Sequence, residues 1–341
     1  PGRRVKVTKP VVFIPEPIAA SGLDLLKGEC RCLAPWDHDP APDAGMQDDD
    51  IASGRAPLFE ADAVIVRLFK ITAEDIAKAK RLKVISKHGT GVDNIDLQAA
   101  TAAGIPVLYT PNATVNAVAE HTLALMLALT RQIGPASIAL KEGRFSERGR
   151  FRGIELSGKN LGVVGLGRIG TRVAQMASLG LGMTVHAYDP FVFRATYSGP
   201  AIIEDSLETL FREADFLTLH VPLTPDTQHM INARSLTWVK PGCRLINTSR
   251  GAIIDEAALI RTLNEGRLAG AALDVFEEEP LPADHPLCQV PNTLLTPHIS
   301  SSTQESLDRM SLQSAQGVLD VLHGRIPGYI VNPSYLDSTV H

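Results

Sequence analysis

Residues 161–170 constrain the fold more than any other segment, because an apolar strand pattern runs there into three glycines at fixed spacing. The glycines follow the pattern G-x-G-x-x-G as Gly165, Gly167 and Gly170. The first permits a tight turn, the second lets a phosphate approach the backbone, and the third lets a helix pack against the strand. Because the N-terminus of such a helix presents free N–H groups to an anion, the segment predicts a unit that binds a dinucleotide pyrophosphate.

An acidic residue at the end of the next predicted strand indicates which dinucleotide is bound. Asp189 closes the apolar segment 183–189, nineteen residues after Gly170. A carboxylate at this position can accept hydrogen bonds from both ribose hydroxyls, and it would repel a 2′-phosphate. The sequence therefore predicts NAD rather than NADP as the cofactor.

Length and patterning favour two α/β domains. The 341 residues are too many for one ordinary core, and 44% hydrophobic with 21% charged residues is typical of a folded protein. Short apolar segments alternate with helical patterns, which predicts parallel sheets with helices on both faces. The predicted strands are 11–14, 63–67, 82–87, 106–109, 161–164, 183–189, 201–203, 216–220, 244–247, 270–274 and 293–295. The predicted helices are 18–26, 73–79, 97–103, 116–132, 206–212, 233–238, 256–265 and 302–324.

The position of the fingerprint in the middle of the chain predicts how these elements are divided. We expect a Rossmann NAD-binding domain over residues 112–303, inserted in a discontinuous flavodoxin-like substrate domain made of residues 1–111 and 304–341. Both would be doubly wound parallel sheets, and the last helix would pack back on the N-terminal domain. Residues 34–57 are rich in Pro, Asp and Gly and are predicted to be irregular.

Charge and cysteine content exclude several classes of protein. The net charge is −5, with no basic stripe for nucleic acid and no polybasic run for a membrane surface. The longest apolar run, 122–129, is too short to span a bilayer. Cys30, Cys32, Cys243 and Cys288 have neither zinc-site spacing nor a C-x-x-C pair, so we expect free thiols in the cytoplasm and no metal site.

Polar residues stand at the ends of four predicted strands in the half of the chain that carries the fingerprint. They occupy positions 220–222, 247–250, 274 and 297–298. Ligands of doubly wound sheets bind beyond the carboxyl ends of the strands, so these residues are expected to share one edge. With a nicotinamide cofactor there, the protein would have to orient a substrate and move one proton.

His298, Glu279 and Arg250 are the candidates for that chemistry. His298 follows a predicted strand and a proline, and histidine is the usual side chain for proton transfer near neutral pH. Glu279 could hold the imidazole, and Arg250 could bind a substrate carboxylate through two parallel hydrogen bonds. Each residue alone also has an ordinary explanation, as a surface histidine, a solvated acidic run or a turn arginine. Their shared sheet edge is therefore the basis of the prediction.

These motifs, together with the glycine fingerprint, resemble in order and spacing those of the D-isomer-specific 2-hydroxyacid dehydrogenase family. The resemblance extends from Arg67 to about Arg325. It implies an enzyme that transfers hydride between NAD and a small-molecule D-2-hydroxyacid or 2-keto acid. In the family the arginine orients the substrate, the glutamate and histidine relay the proton, and the helix that carries residues 118–121 contributes to a homodimer.

The family likeness assigns further residues to the cofactor and the substrate. Its Gly-x-Gly-Val-Asp-Asn loop, expected to hold the substrate carboxylate with backbone N–H groups, appears here at 89–94. The residues expected to bind NAD are Thr90, Gly165, Gly167, Arg168, Ile169, Gly170, Asp189, His220, Val221, Pro222, Thr248, Ser249, Asp274, His298 and Ser300. The residues expected to bind substrate are Arg67, Lys87, Gly89, Thr90, Gly91, Val92 and Arg250.

Substrate choice depends on two basic residues before that loop. Arg67 and Lys87 resemble basic positions that meet a phosphate in family members acting on D-3-phosphoglycerate, which is the expected substrate and would place the protein in serine biosynthesis. Alternatively, they serve a carboxylate or surface ion pairs, and the protein is a glyoxylate or hydroxypyruvate reductase. A third hypothesis is a NAD-sensing binding protein without turnover, although the complete catalytic set favours an enzyme. No regulatory domain is expected after Leu322.

Overall fold

The structure is a computed structural model that describes residues 9–37 and 54–339. The chain divides into two compact units, the first containing the described residues up to Thr114 and from Thr303 onward, and the second containing Val115–Ser302. Of the segment predicted to be irregular, residues 38–53 lie outside the described residues. Its described ends form the 3-10 turn Pro35–Asp37 and the short helix Ala56–Glu60.

The first unit is built on five parallel strands. They are β1 (Val11–Phe13), β2 (Arg31–Leu33), β3 (Ala63–Val66), β4 (Val84–Lys87) and β5 (Val107–Leu108). The order β2-β1-β3-β4-β5 is that of flavodoxin-like folds and confirms the prediction for this sheet. Its α-helices are Ala20–Glu29, Ala56–Glu60, Ala73–Lys78, Leu97–Ala102 and Gln304–Leu322, and a 3-10 segment, Pro333–Thr339, follows.

Burial on both faces of this sheet explains its sequence. All four residues of β3 are buried, as expected for a parallel strand covered by helices on both sides. The C-terminal helix Gln304–Leu322 packs on the helix Ala20–Glu29 and on β4. Its start is fixed by Thr303, whose side chain accepts a hydrogen bond from the backbone N–H of Ser306.

The second unit is built on seven parallel strands. They are β6 (Asn160–Val164), β7 (Thr184–Tyr188), β8 (Ile202–Ile203), β9 (Phe216–Leu219), β10 (Cys243–Asn247), β11 (Leu268–Leu273) and β12 (Thr293–Leu295). The order β12-β11-β10-β9-β6-β7-β8 is that of a Rossmann sheet, with the reversal beside β6, and confirms the predicted fold. The α-helices are Val115–Thr130, Ile133–Lys141, Arg168–Leu181, Leu207–Glu213 and Glu256–Asn264. The 3-10 segments are Phe145–Arg150, Ser235–Thr237, Gly251–Ile253 and Pro286–Gln289.

The helix predicted at 233–238 is wrong in type, because the structure has only the 3-10 turn Ser235–Thr237. Side chains bind the backbone locally here. Asn232 accepts hydrogen bonds from the backbone N–H groups of Arg234 and Ser235, and the Ser235 hydroxyl donates to the carbonyl of Met230. Such local bonds compete with those of an α-helix, so the segment stops after one turn.

The long apolar helix predicted at 116–132 is present, and a second helix that was not predicted follows it. The first, Val115–Thr130, ends before Gln132, which has a left-handed backbone with φ of 52°, and the second, Ile133–Lys141, follows. Of the helices in the described part of the chain, none alone has the length and hydrophobicity needed to cross a bilayer. Only this pair, bent by 61°, passes that test when taken together.

Candidate active site

The glycine fingerprint forms a tight turn between β6 and the helix Arg168–Leu181. Gly165, the first residue after β6, has a φ of 91°, which glycine adopts without strain. A Cβ atom on Gly170 would lie 2.0 Å from the carbonyl oxygen of Gly165, so only glycine lets the helix start this close to the strand. The turn therefore has the geometry that a pyrophosphate needs at a helix N-terminus.

Asp189 follows β7 and is fixed against that turn. Its Oδ2 accepts a hydrogen bond from the backbone N–H of Leu166 at 2.8 Å, and its Oδ1 accepts one from Phe191 at 2.9 Å. A carboxylate oxygen can accept two hydrogen bonds, so both oxygens retain capacity for ribose hydroxyls. A carboxylate held in this place fits NAD and opposes the extra phosphate of NADP.

The residues after β9 pack on the other side of the glycine turn. The carbonyl oxygen of His220 and the side chain of Val221 would lie 2.6 and 2.8 Å from a Cβ on Gly165. His220 Nε2 lies 2.9 Å from Thr218 Oγ1, and burial lowers the pKa of the His220 imidazole to about 3. This imidazole is therefore neutral at physiological pH and brings no charge to the cofactor side of the sheet.

His298 and Glu279 form a hydrogen-bonded pair at the carboxyl edge of the sheet. His298 Nδ1 lies 2.7 Å from Glu279 Oε2, and Glu279 Oε1 accepts a hydrogen bond from the backbone N–H of Phe276. Burial alone would raise the pKa of Glu279, but the bond and charge of His298, the Phe276 N–H and the charge of Arg250 hold it below its usual value. An ionised Glu279 requires a proton on Nδ1, which leaves Nε2 as the reactive nitrogen.

The backbone of His298 has an uncommon conformation. Its φ is 50°, in the left-handed region that a histidine rarely occupies. The conformation is held because the His298 N–H donates to the carbonyl of Asp274 at 2.9 Å. Strain of this kind persists where the surrounding structure fixes it, and it is concentrated at functional sites.

Asp274 anchors the segment that carries His298. Its carboxylate is fully buried at the end of β11 and accepts hydrogen bonds from Thr296 Oγ1 at 2.7 Å, Ile299 N at 2.9 Å and Ser300 N at 2.8 Å. Burial would raise the pKa of Asp274, but bonds from His121 and from the 296–300 segment outweigh it and lower that pKa to about 2. The carboxylate is thus a permanent acceptor that fixes the residues on both sides of His298.

His121 belongs to this network, although the sequence indicated it only as part of a helix. Its Nε2 lies 3.3 Å from Thr296 Oγ1 and 3.6 Å from Asp274 Oδ1. It comes from the helix Val115–Thr130, more than 150 positions before Asp274. The only available signal was a histidine on an otherwise apolar helix, which is also the pattern of an ordinary core histidine.

Asp274→Asn is expected to lower the free energy of unfolding by about 2 kcal/mol at pH 7, because a folded-state pKa of about 2 lies below the usual 3.8. Since this pKa is depressed, the stabilisation is present above about pH 4 and is lost as the pH falls towards 2. Denaturant unfolding at pH 7 and near pH 2.5 would show the difference from wild type shrink in acid. Asp205→Asn, which alters an exposed pair with Arg194, is the control. An equal difference at both pH values would contradict the prediction.

Arg250 lies after β10, next to the Glu279 segment. Its Nη1 donates to the carbonyl of Ser249 at 2.6 Å, and Asn247 Nδ2 donates to the Arg250 carbonyl at 2.8 Å. A Cβ on Gly251 would lie 1.8 Å from the carbonyl carbon of Phe276, so this glycine lets the arginine segment pass directly against the segment leading to Glu279. The structure thus brings together the three predicted catalytic residues within the second unit.

The first unit contains the residues predicted to bind substrate other than Arg250, and they are grouped at the ends of β3 and β4. Gly89 and Thr110 are joined by two hydrogen bonds. The Gly89 N–H donates to Thr110 Oγ1 at 3.1 Å, and the Thr110 N–H donates to the Gly89 carbonyl at 2.9 Å. Thr90 Oγ1 lies 3.1 Å from Thr114 Oγ1. Lys87 is buried, and its ammonium group donates to Asn94 Oδ1 at 2.7 Å and to the carbonyl of Arg67. Both of these contacts of Lys87 lie within the first unit.

With the sheets, the glycine turn and the fixed Asp189 described, the second unit has the features of the dinucleotide-binding class of protein. A model of the D-isomer specific 2-hydroxyacid dehydrogenase NAD binding domain matches residues 123–300. The chain therefore belongs to this family.

Similar proteins of known name and structure agree with this. The chain is 44% identical over 277 residues to D-3-phosphoglycerate dehydrogenase of Methanocaldococcus jannaschii, covering 81% of this chain and 52% of that protein. Among solved structures, D-lactate dehydrogenase of Aquifex aeolicus with NAD and lactic acid is 30% identical, with a TM-score of 0.79 over 94% of this chain and 99% of that one. A Sinorhizobium meliloti NADPH-dependent glyoxylate/hydroxypyruvate reductase with NADP and malonate is 27% identical, with a TM-score of 0.82 over 96% and 98%. The chain spans about half the length of the curated relatives it matches.

Proposed function

We propose that the protein is an NAD-dependent dehydrogenase that transfers hydride between NAD and a D-2-hydroxyacid, with D-3-phosphoglycerate as the substrate. The observation that carries the proposal is the 2.7 Å contact between His298 and an ionised Glu279, beside Arg250 and on the sheet that holds the glycine fingerprint. The name of the Methanocaldococcus jannaschii relative supports the substrate.

The residues present fit NAD. Gly170 has no room for a side chain beside the Gly165 carbonyl, so the helix begins close to the strand, and Asp189 is held by Leu166 where a ribose would be expected. The set that would hold the cofactor is Thr90, Gly165, Gly167, Arg168, Ile169, Gly170, Asp189, His220, Val221, Pro222, Thr248, Ser249, Asp274, His298 and Ser300. When bound, NAD supplies the carbon that accepts or gives the hydride.

The chain's own groups manage charge and the proton. Arg250 binds the substrate carboxylate and polarises the neighbouring oxygen, because a guanidinium matches a carboxylate through two parallel bonds. His298 Nε2 takes the hydroxyl proton during oxidation and returns it during reduction, while Glu279 stabilises the imidazolium that forms. The backbone N–H groups of 89–92 and the side chain of Arg67 contribute the remaining anion contacts in this proposal.

A glyoxylate or hydroxypyruvate reductase is the second candidate. The observation in its favour is the internal bonding of the Lys87 ammonium group, because a phosphate needs positive charge that faces the substrate. The Sinorhizobium meliloti protein is named as a reductase of this kind. That protein is NADPH-dependent, however, whereas Asp189 in this chain opposes a 2′-phosphate.

NADH absorbance distinguishes these candidates. We would measure turnover with D-3-phosphoglycerate and NAD, and in reverse with phosphohydroxypyruvate, hydroxypyruvate and glyoxylate. A kcat/KM that is much higher for the phosphorylated acids supports the first candidate and assigns it to serine biosynthesis. Turnover of the unphosphorylated acids alone supports the second. Binding of NAD without turnover of any of these acids contradicts both and favours a NAD-sensing protein.

A cytoplasmic homodimer is part of the same proposal. Among the described residues no disulfide joins two cysteines, which is usual for a protein of a reducing compartment. On the second unit, four large apolar side chains in and after the helix Ile133–Lys141 are each at least 54% exposed, and they are Ile133, Ile138, Leu140 and Phe145. Exposed apolar residues clustered along one short stretch are typical of an interface, and a second copy of this chain is the proposed partner.

Ile138→Asp is expected to convert a dimer into a monomer, because it would bury an unpaired charge in the contact between copies. Multi-angle light scattering during gel filtration measures the mass. Leu179→Asp is the matched control, since Leu179 is a more exposed apolar residue on a different helix of the same unit. An unchanged mass for Ile138→Asp, or an equal change for both variants, would place the contact elsewhere.

A further inference from the structure

The turn after β3 surrounds the carboxylate of Glu16. The backbone N–H of Arg67 donates to Glu16 Oε2 at 2.7 Å, and that of Phe69 donates to the same oxygen at 3.0 Å. The N–H of Leu68, between them, donates to Oε1 at 2.8 Å. Three successive N–H groups that converge on one anion form a concave anion-binding site, and here the chain's own side chain occupies it.

The carbonyl groups of the same turn are bound from β4 and the loop after it. Asn94 Nδ2 donates to the carbonyl of Phe69 at 2.7 Å and to that of Arg67 at 3.3 Å. The Lys87 ammonium group donates to the carbonyl of Arg67 and to Asn94 Oδ1. Glu16 therefore binds the N–H groups of this turn, and Lys87 and Asn94 bind its carbonyl groups.

The side chain of Arg67 starts from this fixed turn. Its backbone is held on both sides, and its Nη1 lies 3.4 Å from the carbonyl of Pro17, the neighbour of Glu16. A turn without these bonds would have to be ordered on each binding event, and ordering a main chain opposes binding. This pattern indicates that the two basic residues have different roles. Lys87 holds the turn, and Arg67 provides the positive charge that faces the substrate.

We infer, on the basis of the proposed function, that Glu16 is a positioning residue that sets the Arg67 guanidinium for the phosphate end of the substrate. In this assignment Lys87 acts through the turn rather than on the phosphate. The carboxylate of Glu16 therefore determines preference for phosphorylated over unphosphorylated acids without contacting either.

The kinetic experiment compares Glu16→Gln and Glu16→Ala with Glu29→Gln, a control in the same unit whose carboxylate pairs with the exposed His323. Losing charge-assisted bonds is expected to raise KM for phosphohydroxypyruvate by about tenfold or more. The expected kcat stays within about twofold and KM for NADH is unchanged, because neither the proton relay nor the cofactor site is altered. KM for hydroxypyruvate, which has no phosphate, is expected to change by less than about threefold.

A double-mutant cycle tests whether Glu16 acts through Arg67. Arg67→Ala alone should raise KM for phosphohydroxypyruvate, and adding Glu16→Ala should raise it no further, since effects through one group are not additive. An undiminished Glu16 effect in the Arg67→Ala background would overturn the inference. So would a Glu16 effect no larger than that of Glu29→Gln.

Amide hydrogen exchange tests the role of Glu16 without any substrate, so its result does not depend on the proposed function. In the free protein, exchange at 67–69 is expected to be at least about tenfold faster in Glu16→Ala than in wild type, with exchange in β6 unchanged as an internal control. Equal exchange at 67–69 in the two proteins would overturn the role of Glu16 in holding the turn, whatever the substrate. A wild-type enzyme that does not favour phosphorylated acids would instead reject the proposed substrate. The cycle would then be repeated with the acid that is turned over, where additive effects again overturn the inference.

Discussion

His298→Asn is expected to lower kcat by about 10²–10⁴ and the affinity for NAD by no more than about a few fold, because general acid–base catalysis contributes about the first factor. Asparagine tolerates the left-handed backbone of this residue but cannot transfer the proton. Stopped-flow NADH absorbance measures turnover, and titration calorimetry with NAD measures binding. A variant that turns over at a near-normal rate would remove His298 from the mechanism.

The chain offers a closely matched control in His229. This histidine also has a left-handed backbone, with φ of 49°, and its Nε2 also contacts a glutamate at 2.7 Å, namely Glu277. Glu277 lies only two positions before the partner of His298. His229→Asn is therefore expected to keep turnover within about a few fold of wild type. That result would show that the loss in His298→Asn comes from the missing proton transfer and not from a disturbed loop.

The pair of His298 and Glu279 is expected to depend on pH through the ionisation of Glu279. Its folded-state pKa is depressed, so its contribution to stability and to the orientation of the imidazole is present above the ordinary carboxyl range and is lost as the pH falls below it. Glu279→Gln should remove this acid-side dependence and lower turnover at neutral pH, since the amide stabilises an imidazolium less well.

Local pattern was enough to predict the two sheets, whereas the roles of Arg250, Glu279 and His298 stay predictions. The fingerprint, the strand ends and the helix periodicity are each encoded within about twenty residues, and the two strand orders agree with them. The edge strand Arg31–Leu33 was missed, because it lacks the β-branched and aromatic residues that indicate a strand. The helix Ile133–Lys141 was missed because Gly134 and Pro135, in its first turn, are typical of a break between elements.

Contacts between distant positions could not be predicted from the sequence. Asp274 was expected beside the nicotinamide, and that role stays a prediction. Its three hydrogen bonds to the 296–300 segment and its 3.6 Å contact with His121 join residues far apart in the chain. Arg67 and Lys87 were both expected to meet the substrate. The sequence gave no sign that the Lys87 ammonium group binds the backbone carbonyl of Arg67.

Gly251→Ala is expected to reduce turnover by about 10² or more and stability by about 1–3 kcal/mol, although it adds only one methyl group. The added Cβ would lie 1.8 Å from the carbonyl carbon of Phe276 and 2.4 Å from the nitrogen of Glu277. Both atoms are backbone and cannot rotate away, so the two segments must separate by an ångström or more. Arg250 lies on one of these segments and Glu279 on the other.

Gly180→Ala is the control for this substitution. Gly180 lies in the helix Arg168–Leu181, and a Cβ there meets nothing within 4 Å, so the change should be neutral or slightly stabilising. Thermal unfolding and kcat would be measured for both variants, with NAD titration to show that the fingerprint remains intact. Wild-type turnover and stability in Gly251→Ala would mean that the two segments can separate without cost. Catalysis would then not depend on the distance between the arginine and the histidine–glutamate pair.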